Sequence, residues 1–163
     1  MGLDQYLTRK FYVGGRYEHR NVTGEINIKI GDEQYSFDVK NVDYIVEVAG
    51  YWREASSIHQ WFVDNCQDGE DDCKEYSVSQ EQLQELLDIV NKILKCCTFA
   101  GKQYISANKE VCEELLPTRA GVVFGGTEYD EAYYEDLLET KRILEENLNE
   151  KYTNWYFEYL ASW

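Results

Sequence analysis

The side chains best suited to chemistry crowd into one stretch, GYWREASSIHQWFVDNCQDGEDDCKEY, from Gly50 to Tyr76. It holds Trp52, Trp61, Arg53, His59 (one of 2 His) and Cys66 and Cys73 (of 5 Cys). Aromatic rings beside an arginine and a histidine suit a flat anionic ligand, because the rings offer stacking faces and the polar groups hold phosphates. Helical spacing places Tyr51, Ala55, Ile58 and Phe62 on one stripe of a helix predicted from about Tyr51 to Asp64, with Trp52, Ser56, His59 and Val63 on the next. Two settings for His59 follow. Either it is a boundary residue satisfied by hydrogen bonds, or it forms a pocket wall with Arg53.

Metal and nucleophile chemistry fit less well. The loop Asp64 to Glu75 matches a calcium-binding loop at Asp64, Asp68, Gly69, Asp72 and Glu75. It puts the soft ligand Cys66 where a hard oxygen is needed, and Asp71 where an apolar residue belongs, so the reading is an acidic turn. The cysteine spacings lack the short paired gaps of zinc sites, and Cys96 and Cys97 are adjacent. His59 and Cys66 lie about 10 Å apart along a continuous helix, too far for a direct dyad. No metal, cofactor or catalytic residue is therefore assigned. A second polar and aromatic group comprises Thr118, Arg119, Thr127, Tyr129 and Tyr133, around Pro117 and Gly125-Gly126. In it Arg119 either pairs with a neighbouring carboxylate or converges with Arg53 on one anionic ligand.

The 163 residues are enough for one domain with a real core. Net charge is −15, unevenly spread: seven Lys and Arg face nine Asp and Glu in residues 1–60, but nine face twenty-two in residues 61–163. Such a field disfavours nucleic acid and anionic membrane. No stretch reaches membrane-spanning length, the first residues lack signal-peptide character, and the odd cysteine count fits reduced thiols and a cytoplasmic setting.

The elements that position these residues read as a single α+β domain over 1–163, a mostly antiparallel sheet with about three main helices. A strand is predicted over Gly2 to Val13, a hairpin in the sheet over Glu25 to Val39, and a third strand over Tyr44 to Val48. Ser79 with Gln82 forms a capping box ahead of a helix whose core face is Leu83, Leu86, Leu87, Val90, Leu94 and Cys97, the last a buried thiol. Phe99 to Asn108 reads as irregular, Pro117 as a fixed turn and Val122-Val123-Phe124 as a short strand. Thr127 or Asp130 caps the last helix, striped by Tyr133, Leu137, Leu144 and Leu148, and WYFEYLASW is a final edge or central strand.

The segments GLDQYL, YWREASSIHQWFVDNCQDGEDDC and LLPTRAGVVFGGTEYDEAYYEDLLET resemble a family of small proteins of tailed bacteriophages and prophages. Some members carry a phosphoglycerate kinase label, for which this chain is too short and lacks the phosphate-binding elements. The resemblance implies an early accessory protein acting in the host cytoplasm, often against host defences. It implies sequestration of a nucleotide-derived immune signal, or blockade of a host defence protein by an acidic, nucleic-acid-like surface. A nucleotide phosphodiesterase is the enzymatic alternative. Joined to the residues above, the expectation is a homo-oligomer that binds a small nucleotide-like ligand without chemistry. Its binding residues would be Tyr51, Trp52, Arg53, His59, Trp61, Arg119, Thr127 and Tyr129.

Overall fold

A computed structural model of the chain describes residues 2–121 and 124–163. Its central sheet has four antiparallel strands in the order β4-β1-β8-β5: β1 Asp4–Tyr12, β4 Tyr44–Arg53, β5 Tyr76–Val78 and β8 Tyr156–Ser162. The strictly alternating half of β1 explains the layering. Gln5, Leu7 and Arg9 are buried beneath the helices, while Asp4, Tyr6, Thr8 and Lys10 face the other way. The helices α1 Ser56–Cys66, α2 Gln80–Lys95, α3 Lys109–Leu115 and α4 Glu131–Asn147 complete an α+β fold. The sheet's other face carries the tilted ring pairs Tyr6–Tyr51 and Tyr12–Tyr44 and the ion pair Lys10–Glu158.

The predicted capping box is present at Ser79 and Gln82, and Leu83, Leu86, Leu87 and Val90 are buried along α2. Ile93 is buried where Leu94 was expected, leaving Leu94 half-buried. Cys97 is also half-buried, and Cys112 is the fully buried thiol among the described residues. Asp130, not Thr127, caps α4 by accepting from Ala132 and Tyr133 N–H groups. α4 approaches β4 closely at Gly50, where a Cβ would stand 2.5 Å from Ile143 Cγ2. Glycine is required there by space rather than by backbone angle.

Three expectations are corrected. The helix predicted from Tyr51 begins at Ser56, because Tyr51, Trp52 and Arg53 continue β4 and pair with Tyr6, Gln5 and Asp4 of β1. Glu54, at φ 57°, makes the corner between strand and helix. The hairpin formed by β2 Glu25–Ile30 and β3 Glu33–Asp38 is not in the main sheet; it is a separate two-stranded arm. The stretch read as irregular holds a second small hairpin, β6 Thr98–Ala100 and β7 Gln103–Ser106, turning at Gly101 with φ 63°. The final strand takes the central of its two expected places: β8 lies inside the sheet between β1 and β5. Val122 and Val123, read as a strand with Phe124, lie outside the described residues, and Phe124 itself is in a bend.

Candidate functional site

His59 sits on α1 with no exposed surface, inside a chain of polar contacts that spans the fold. Its Nδ1 is 2.9 Å from the Tyr159 hydroxyl on β8, and its Nε2 is 3.1 Å from Asp71 Oδ2 in the acidic loop. Tyr159 donates in turn to Gln5 Oε1 at 2.9 Å, and Gln5 Nε2 donates to the Ala55 carbonyl at 3.2 Å. Asp71 also accepts from Arg119 at 3.3 Å and from the Trp163 indole at 2.9 Å. Burial pulls the His59 pKa below its ordinary value and outweighs the hydrogen bond to Asp71, which raises it. Burial likewise holds the Tyr159 hydroxyl well above its usual range, so it remains a donor. The assembly ties β1, α1, the acidic loop and the last residue together. His59 is thus the hydrogen-bonded core histidine of the two settings its position allowed.

A separate cleft of about 240 Å³ opens at the start of α1. One wall is the end of β4 and the first turn of α1, with Arg53, Glu54, Ser56 and Ser57. Opposite lie Thr118, Gly125-Gly126 and the start of α4, including Asp130, Tyr133 and Asp136. Hydrogen bonds hold the loop between α3 and α4 in place: Tyr133 donates to the Leu116 carbonyl at 3.0 Å and Thr118 to the Thr127 carbonyl at 2.8 Å. Gly125, at φ +81°, lies so close that a Cβ would meet the Glu54 carbonyl oxygen at 2.7 Å.

The two walls differ in polarity. α1 starts at Ala55 without a side-chain cap, so its first amides keep the partial positive charge of a helix N-terminus. Ser57 is only 2% exposed and lines the cleft. Arg53 is exposed and makes no ion pair among the described residues. The Asp136 carboxylate faces them without a donor of its own among the described residues. Burial, with Glu135 and Asp130 nearby, raises its pKa to about 7. Donors gathered at the start of α1, beside Glu54, and carboxylates on the opposite wall suit a ligand that carries both an anionic group and hydroxyls.

The residues singled out from sequence are distributed as follows. Arg53 lines the cleft. The Arg119 side chain turns to Asp71 and lies over the Phe124 ring at 5.4 Å, while its backbone N–H donates to Ser56 Oγ at 3.4 Å. The two arginines therefore do not meet on one point. Trp52 is enclosed and donates to Thr140 Oγ1 at 2.9 Å, and Trp61 is enclosed against Phe62, so neither ring offers a free face. Tyr51 is on the open sheet face, where its hydroxyl donates to the Asp4 carboxylate. Thr127 and Tyr129 serve through their carbonyls, accepting from Thr118 and Tyr104. Sequence reasoning missed Ser57 and Asp136. The doublet Ser56-Ser57 becomes legible as a helix start once the strand is seen to run to Arg53. Asp136, among many acidic residues, carries no sequence signal.

The described residues contain no cluster of three or more His, Cys, Asp or Glu placed to hold a metal ion. Burial pushes the Cys66 thiol up to about 12, which removes it as a nucleophile at neutral pH. No helix among the described residues is long and apolar enough to cross a membrane. No family model, curated protein or solved structure matches the chain.

Proposed function

We propose that the protein binds a small nucleotide-like ligand through its ribose-phosphate part and releases it unchanged. The observation that carries this reading is the opposed polarity of the cleft. The uncapped start of α1, Ser57 and Arg53 recognise the phosphate, and Asp136 with Asp130 accepts ribose hydroxyls. At about 240 Å³ the cleft is smaller than a drug-sized pocket, roughly 300–1,000 Å³, so the base projects out of it. Stacking on Trp52 and Trp61 is no part of the proposal.

In the phage setting that the resemblance implies, such binding withdraws a nucleotide-derived immune signal in the host cytoplasm. Blockade of a host defence protein is the second reading, favoured by the acidic excess of residues 61–163. A phosphodiesterase is the third, with Asp136 the group in the cleft whose pKa suits proton transfer. A thermal-shift panel of ribose 5-phosphate, ADP-ribose and cyclic nucleotides separates them when each ligand is then recovered for mass analysis. A shift with intact recovery, lost in Arg53→Ala, is expected. Conversion of the ligand establishes the enzyme, and no shift across the panel leaves the acidic inhibitor.

A further inference from the structure

The β2–β3 arm is strongly two-faced. Its register sets Ile26 beside Phe37, Ile28 beside Tyr35 and Ile30 beside Glu33 on one face, with Glu33 at its tip, while Glu25, Asn27, Lys29, Gln34, Ser36 and Asp38 form the other. Ile28, Ile30, Tyr35 and Phe37 are all exposed, Ile30 at 66%. An isolated two-stranded hairpin is marginal in water and needs a surface to pack on. The chain that follows the arm supplies a matching one. β4 is an edge strand with Tyr44, Ile45, Val46 and Val48 exposed. It has no lysine or proline, so that Glu47, Arg53 and a register irregularity opposite Leu7 and Thr8 are what protect this edge from pairing. Beside it a groove of about 640 Å³ runs over the open sheet face, lined by Tyr44, Val46, Trp155 and Tyr156; its Lys10 and Glu158 are paired with each other.

We infer that a second copy of this chain occupies this surface, each arm lying with its apolar face in the groove of its partner. Area and reciprocity favour a like partner. Eight apolar residues of arm and edge are each 36–67% exposed, and covering them together approaches the roughly 800 Å² that each partner contributes to a stable interface. A reciprocal, two-fold exchange also buries both surfaces at once and leaves neither edge free.

Sedimentation of the full chain across the micromolar range tests this. The expected species has twice the 19.2 kDa chain mass. Ile30→Lys and Val48→Lys each weaken the dimer at least about tenfold, while Asn27→Lys, on the arm's polar face, leaves it intact. Ile30→Thr and Val48→Thr retain strand propensity and serve as the folded alternatives should a lysine variant misfold. A parent chain that sediments at 19.2 kDa throughout overturns the inference and assigns the face to a different partner. Arm and β4 variants as dimeric as the parent overturn it equally.

Discussion

Replacing Asp136 by Asn is expected to stabilise the protein while weakening it as a binder. In the folded chain the carboxyl is held between α4 and the cleft, and burial raises its pKa from 3.8 to about 7. In the unfolded chain it titrates near its ordinary value. Between roughly pH 4 and 7 the folded state therefore keeps a proton that the unfolded state has released, and stability falls as pH rises through that window. Above about pH 7 the folded protein carries a charged, poorly solvated carboxylate. Three units at 1.36 kcal/mol each put the cost at about 4 kcal/mol as an upper bound, and water reaching the cleft reduces it to roughly 2–4 kcal/mol. Asparagine has the same shape and no charge. For a domain of this size Asp136→Asn is expected to raise Tm by roughly 5–10 °C at pH 8. At pH 4 it changes Tm little, and the affinity for ribose 5-phosphate falls at both pH values. Differential scanning calorimetry at the two pH values is the assay. An unchanged Tm at pH 8, or the same gain at both, refutes the reasoning that an unpaired carboxylate is stored in the cleft.

Two further changes probe the frame around the cleft. Asp71→Ala removes the acceptor of His59 Nε2, Arg119 and the Trp163 indole. Only the histidine is sealed from water, so the loss is about 1–3 kcal/mol in a denaturant midpoint, with altered Trp163 fluorescence; a midpoint equal to the parent's contradicts the relay. Gly125→Ala forces a side chain into a left-handed turn against the Glu54 carbonyl, at a cost of about 1–3 kcal/mol, and narrows the cleft. A variant with parental stability and ligand response shows that the loop does not form that wall.

Local signals in the sequence carried local structure. The Ser79–Gln82 box and the leucines after it define α2 because capping and helical burial both lie within one turn of each other. The boundary at Tyr51 misled because Tyr51, Ala55, Ile58 and Phe62 fit a helical stripe while Tyr44 to Arg53 also fits a strand. The tie is broken by pairing with β1, nearly fifty residues earlier. The arm was legible as a hairpin, but its separation from the main sheet depends on where β1 finds its neighbours. His59 stood out by type; its partner Tyr159 lies 100 positions away and Gln5 is reached only through it. Of the cleft, Arg53 and Gly125-Gly126 were visible as an arginine among aromatics and a tight turn. Asp136 was hidden, since its burial comes from the packing of α4 and not from its neighbours in the chain.

The most direct measurement is an amide-resolved NMR titration of the parent chain with ribose 5-phosphate, followed by mass analysis of the sugar phosphate. Saturable shifts centred on Ser57, Ile58, Gly125 and Gly126, with the ligand recovered unchanged, are the predicted result. An absence of shifts at those amides, or shifts confined to the arm and β4, contradicts the claim that the start of α1 is the ligand site.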